Sequence, residues 1–353
     1  MSTVGGQKGA FAARQSAGCA LLVRPARFGY NSQTAPSNHF QHPAPMRSAA
    51  AGRARAELDR LAAALRAAGA RVCVAEDTPE PVKPDAVFPN NWVSWHGDGT
   101  VVLYPLCAPN RRAERRAELL EAAAAHSGFR RQRLLDLSAH ERAGRFLEGT
   151  GSLVLDHVHR VAYACRSART DEALLREWAA LLEYEPVPFD AHDELGRPLY
   201  HTNVMLAVGT RWSVVCTRAI AAADRARVLA RLRAGGREVI EITPAAMGSF
   251  AANLLELSVV AGAGTGAGPA VGAGVGGGVG AGVGVGAGPG AGGERQVLVL
   301  STRARAALRA QPGCWPRLQS LVDAVVAVPV PTIESVGGGG VRCMLCEIPA
   351  VPA

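Results

Sequence analysis

Aromatic residues make up only 5% of this 353-residue chain, and lysine occurs just twice, at Lys8 and Lys83. Proteins that hold nucleic acid stack bases on aromatic platforms beside focused positive charge. Here the rest of the positive charge is arginine, scattered over helix-like stretches such as 111–116 and 225–233, so the net charge of +8 reads as solvated surface. No nucleic-acid partner is expected, although a basic surface attracts an anionic group on a small substrate. Outside one glycine-rich tract there is no run of 18 apolar residues, which argues against a membrane-spanning helix and a membrane partner. Acidic residues are missing before Glu57, a trait of organelle-import segments, yet the apolar core of a secretory signal is missing too. A cytoplasmic protein is the expectation, with organelle import as the alternative.

Also lacking is a second metal-binding half. Cys343 and Cys346, in "SVGGGGVRCMLCEIP", have the spacing of a zinc knuckle, but no further CxxC or HxxxH stands near to complete a tetrahedron. The eight cysteines are spread along the whole chain and imply no disulfide scaffold. A redox pair of the thioredoxin kind opens a helix after a strand, and this one is followed by only a few residues. The remaining reading is a nucleophile. Four glycines let a substrate approach a sulfur closely, and Arg342 beside it favours thiolate or takes a substrate carboxylate. From these residues alone, a linker ending in a buried cysteine is an equal alternative.

What the chain has in abundance is repetition. "SLVLDHVHRVAYACRSARTDEALLREW", "NVMLAVGTRWSVVCTRAIAAADRARVLARL" and "NLLELSVV" resuming at "RQVLVLSTRARAALRAQ" each read as strand, turn, strand, helix. Weaker copies begin at "NWVSWHGDGTVVLYP" and at "CALLVRP", with a helix over 47–68. Strands after each helix, such as "ARVCVAED" and "REVIEIT", complete a ββαβ plan. Units of this kind bury their faces only against neighbours, so one closed α/β domain over 19–353 is expected, preceded by a disordered extension over 1–18. Residues 261–293 are almost wholly Gly, Ala and Val and read as a flexible loop inserted into a hairpin.

Polar clusters stand at the starts of successive strands. Glu148 precedes "SLVLD", His201 and Asn203 alternate before "VML", Asp85, Asn90 and Asn91 precede "WVSW", and Asn253 precedes "LLEL". Corresponding ends of stacked repeats converge, so these side chains and Cys343 are expected around one centre.

In their order and spacing, "VRPARFGYNSQTAPSNHFQ", "DAVFPNNWVS", "LEGTGSLVLD", "YHTNVML", "GSFAANLLEL" and "GGGGVRCMLCEI" resemble the guanidino-group-modifying enzymes. This superfamily comprises arginine deiminases, dimethylarginine hydrolases and amidinotransferases, and the likeness is nearest to amidinotransferase-like citrulline-utilisation hydrolases. It implies a five-bladed α/β-propeller (pentein) with pseudo-fivefold ββαβ repeats. It also implies Cys343 as nucleophile, His201 as acid/base and Glu148 as its partner, with no metal or organic cofactor. Asp85, Asn90, Asn91, Asn203, Asn253 and Arg342 fall at substrate-binding positions, and Asn31 or Asn38 at the amino-acid head group. Where arginine deiminases place aspartates, this chain has Asn91 and Asn203. An amide both donates and accepts hydrogen bonds and carries no charge, which suits a neutral ureido group. A hydrolase acting on citrulline, with arginine-type substrates second, is therefore the expectation. An amidinotransferase and a non-catalytic binding propeller are the alternatives. The expected partner is a small amino-acid substrate, with a homo-oligomer left open.

Overall fold

A computed structural model describes residues 14–43, 47–260, 282–285 and 293–350. Five small sheets share one strand order. In the first, Val93–Trp95 pairs antiparallel with Thr100–Leu103, which pairs parallel with Arg133–Asp136. The parallel step needs a crossover, and the helix Ala117–Ser127 supplies it. That helix is alanine-rich and stops at Gly128, whose φ of 68° is the left-handed cap that glycine adopts without strain. The hairpin turns at "HGDGT", where Gly99 has φ 84°.

The second sheet repeats the plan with Val154–Asp156, Val161–Cys165 and Glu185–Phe189, and the third with Leu206–Val208, Trp212–Val215 and Glu238–Glu241. The crossover Glu172–Leu182 is capped by Asp171, whose carboxylate accepts from the Leu174 amide at 2.8 Å. Its Leu174, Leu175, Trp178, Ala179 and Leu182 are buried, the spacing of one helix face. The fourth sheet has Leu255–Val260, Glu294–Ser301 and Ala324–Val328. The fifth joins distant parts of the chain: Cys346–Ile348 pairs antiparallel with Cys19–Arg24, which pairs parallel with Arg71–Glu76 across the helix Arg47–Ala67.

Apolar cores lie between sheets rather than within them. Tyr163, Trp212, Val214 and Leu298 belong to a cluster shared by sheets two, three and four. Val297, Val326, Leu22 and Val72 join sheets four and five. Leu21, Cys73, Val93 and Val101 join five and one, and Val102, Tyr104, Ala162 and Leu174 join one and two. The succession of shared cores returns to its start.

Two expected boundaries change. Residues 14–18 are not a free extension: the Gln15 amide donates to Leu155 O at 2.9 Å and Val208 O at 3.1 Å, and the Ser16 hydroxyl donates to Glu256 at 2.6 Å. This stretch satisfies backbone and carboxylate acceptors on three sheets; residues 1–13 lie outside the described residues. Within the glycine-rich tract, Gly282–Val285 forms a strand paired antiparallel with Ala324–Val328, because that strand's outer edge offers unpaired backbone groups. Among the described residues of the tract only Gly293 lies outside this strand. No helix among the described residues is long and apolar enough to cross a membrane.

Candidate active site

Each first strand is entered through a tight turn. Pro89–Asn91, Gly149–Ser152, Thr202–Val204 and Val341–Met344 are short helical turns before the first strands of sheets one, two, three and five. Asn253 holds the same place before the fourth. These turns bring the sequence-expected residues together.

Cys343, His201, Asp85 and Asn91 line one small cavity together with Phe88 and Gly337–Gly339. His201 is 2% exposed, and its Nε2 lies 2.8 Å from Glu148 Oε2. An ionised carboxylate only accepts, so Nε2 carries the proton and Nδ1 keeps its lone pair. Burial lowers the His201 pKa to about 4 against the pull of Glu148, so the ring is neutral near pH 7. Burial works against an ionised Glu148, but Arg169, the His201 hydrogen bond and Arg111 outweigh it and hold the carboxyl below its usual range. Glu148 Oε1 also accepts from the Cys107 amide at 3.0 Å. A Cβ on Gly151 would stand 2.6 Å from His201 Nδ1 and from Asn91 Nδ2, so only glycine lets the imidazole lie where it does.

Cys343 is 4% exposed, and burial pushes its thiol above the ordinary value. The Asn253 amide and then Arg342 oppose the rise without cancelling it. Arg342 favours the thiolate in the expected direction but does not overcome burial. Its role as a substrate contact is corrected: the guanidinium donates to Leu345 O at 2.9 Å and pairs with Glu347 at 2.8 Å, and Arg342 is not among the residues lining the cavity. Asn203 and Asn253 also turn from the cavity to the sulfur. Asn253 Nδ2 donates to Sγ at 3.2 Å, while Asn203 Oδ1 stands 3.8 Å from Sγ and Asn203 Nδ2 donates to Thr150 O at 3.1 Å. Asn90 is fully buried behind Asn91, its Oδ1 accepting from Asn91 Nδ2 at 3.1 Å. Cys346 is buried on the following strand with its sulfur 3.4 Å from Val93 O.

Asp85 remains at the cavity. Its Oδ2 accepts from Asn31 at 2.7 Å and Thr34 at 3.1 Å, and its Oδ1 is buried without a hydrogen-bond partner among the described residues. Asn38 lines the cavity too and donates to Gly338 O at 3.2 Å.

Arg111 and Arg169 also line the cavity, and sequence reasoning missed both. Arg111 is held by Glu114 through two bonds of 2.9 Å and donates to Asn91 Oδ1 at 2.7 Å. Arg169 donates to Thr34 O at 2.8 Å, faces Glu148 Oε2 at 3.4 Å and stacks over Tyr200. The one available signal was Arg111 followed three residues later by Glu114 in a proline-started turn. Among the described residues no group of three or more His, Cys, Asp or Glu is arranged to hold a metal ion.

The site thus joins a buried thiol, a histidine oriented by a carboxylate, and paired guanidinium and carboxylate groups around one cavity. The family model for N,N dimethylarginine dimethylhydrolase, eukaryotic, matches residues 24–265 and 290–350, and the chain belongs to that family. Solved structures share the fold. ArgZ without ligand, an arginine dihydrolase from the ornithine–ammonia cycle in cyanobacteria, aligns with a TM-score of 0.63 at 16% identity, over 95% of this chain and 41% of that one. The N-terminal domain of an ArgZ variant covalently bound to a reaction intermediate gives 0.65 at 16% identity, over 95% and 99%. A dimethylarginine dimethylaminohydrolase adduct with S-methyl-L-thiocitrulline gives 0.56 at 16% identity, over 93% and 98%. The chain thus spans about two fifths of full-length ArgZ. No curated protein sequence matches it.

Proposed function

We propose that this protein is a cofactor-independent thiol hydrolase that cuts a C–N bond at the guanidino carbon of an arginine-type amino acid. The observation that carries the reading is the company Cys343 keeps. It shares a cavity with His201 and with Asp85, whose Oδ1 lacks a partner among the described residues. Arg111 is matched by Glu114 and Arg169 by Glu148. Asp85 meets Arg111 only at 3.8 Å and is the least compensated charge on the wall. A buried carboxylate with a free lone pair favours a cationic N–H donor.

In this reading His201 Nδ1 takes the Cys343 proton and the thiolate attacks the planar guanidino carbon, forming a C–S bond. The imidazolium returns the proton to the departing nitrogen as the C–N bond breaks. Neutral again, His201 draws a proton from water, whose oxygen adds to the carbon; the C–S bond breaks, the imidazolium returns its proton to the Cys343 sulfur, and a ureido product leaves. Glu148 holds Nε2 throughout and stabilises the transient imidazolium. The five sheets with their closed succession of cores fit five blades of a propeller around this centre.

Citrulline is the second reading, favoured by the amides Asn91 and Asn203 where related enzymes carry aspartates. Neither amide is idle, however: Asn91 is engaged with Arg111 and Asn90, and Asn203 with Thr150 and the sulfur side. The deciding experiment incubates the protein with arginine, dimethylarginine and citrulline, measures products, and weighs the Cys343 peptide for an adduct. Products from the guanidino substrates are expected. Turnover of citrulline alone would reverse the order, and no product with any of the three would remove the hydrolase assignment.

A further inference from the structure

The sulfur of Cys343 sits between two amides from neighbouring units, and their orientations are fixed from behind. Asn253 Oδ1 accepts the Arg342 backbone N–H at 3.0 Å, so its NH2 must face the other way. That NH2 divides its two hydrogens between Asn203 O at 3.0 Å and Cys343 Sγ at 3.2 Å. The amide cannot flip without setting a carbonyl against a carbonyl and an NH2 against an N–H. Gly340 makes room for it, since a Cβ there would stand 2.6 Å from Asn253 Oδ1. On the other side, Asn203 Nδ2 is committed to Thr150 O, which turns Oδ1 toward the sulfur at 3.8 Å. The sulfur therefore has an acceptor on one side, suited to an S–H, and a donor on the other, suited to S−.

We propose that Asn253 is a positioning residue for the nucleophile: its amide N–H holds the Cys343 thiolate as it forms and fixes the direction in which the sulfur points. This rests on the reading of Cys343 as nucleophile and gives Asn253 a role apart from substrate binding. Asn253 is 1% exposed and makes three bonds, all to the turn carrying Cys343 or to Asn203, so it has no face left for a substrate. A donor at a developing anion strengthens as charge grows, whereas a packing residue would act equally on thiol and thiolate.

The test is a pH titration of thiolate absorbance in the full-length protein, with the share of Cys343 isolated by subtracting the Cys343→Ala spectrum. Asn253→Ala removes the donor. Asn253→Asp keeps the size and the acceptor for the Arg342 N–H, and places negative charge against the sulfur. The ionisation midpoint is expected to rise by about one pH unit in Asn253→Ala and further in Asn253→Asp, the size expected for a lost hydrogen bond to a charged group. An Asn253→Asp protein that is folded by circular dichroism and titrates like the parent would overturn the proposal. Because no substrate enters this titration, a parent that hydrolyses none of the guanidino compounds would defeat the hydrolase reading while leaving the midpoints to decide this one.

Discussion

The third and fourth units carry out the same plan with different freight. Their entry turns align at Asn203 and Asn253, and two residues upstream the third has His201 where the fourth has Ala251. Their hairpins differ more: residues 209–211 close the third, whereas 261–293 interrupt the fourth. The fourth sheet keeps the common strand order nonetheless, and its entry turn still delivers Asn253 to the sulfur. The strand Leu255–Val260 separates the two ends by about 20 Å at the usual rise per residue. Chemistry is thus written at strand entrances and length variation is absorbed at hairpin tips.

The strongest way to break the comparison is at the position that differs. His201→Asn, assayed on whichever guanidino substrate the parent turns over, is expected to lower kcat by about 10^2–10^4, the usual share of an acid/base group. The next effect tests the position they share. Asn203→Asp puts a carboxylate where Oδ1 stands 3.8 Å from the sulfur, and kcat should fall at least about tenfold as the thiolate is opposed. A third prediction concerns stability. The unfolded chain protonates His201 near its ordinary 6.5, the folded protein only near 4, so stability is full above 6.5 and lost as pH falls through 4. Urea midpoints between these values should decline in the parent, by a free energy on the order of 3 kcal/mol, and decline less in His201→Asn. The smallest effect belongs to the hairpin tips: replacing 261–292 by a short glycine-containing turn should leave kcat within about twofold. A larger loss would tie the insertion to the site.

Much of the fold is legible because apolar alternation and alanine-rich helices recur with little variation. The first helix was expected over 47–68 and spans Arg47–Ala67. The gathering of Cys343, His201 and Glu148 is legible because each stands at the same phase of a repeated unit. What escaped is what a linear pattern cannot carry. Arg111 lies in a run of arginines that reads as solvated surface, and only the folded chain sets Glu114, Asn91 and Asp85 around it, leaving it 1% exposed. Arg169 is hidden likewise, since its partners Thr34 and Ser37 come from a loop far upstream. Asparagine side chains mislead for a further reason: the sequence locates an amide but not its direction, and Asn203 and Asn253 face the nucleophile instead of the cavity.

The fifth sheet has a consequence in time. Cys346–Ile348, which follows the nucleophile's turn, pairs with Cys19–Arg24. Cys19–Arg24 is made before the strands of the four other sheets and Cys346–Ile348 after them, so those sheets can form on the ribosome while the fifth waits. Cys343 is made after every other residue that lines its cavity. A chain broken off before Cys343 would hold His201 and Glu148 without the thiol.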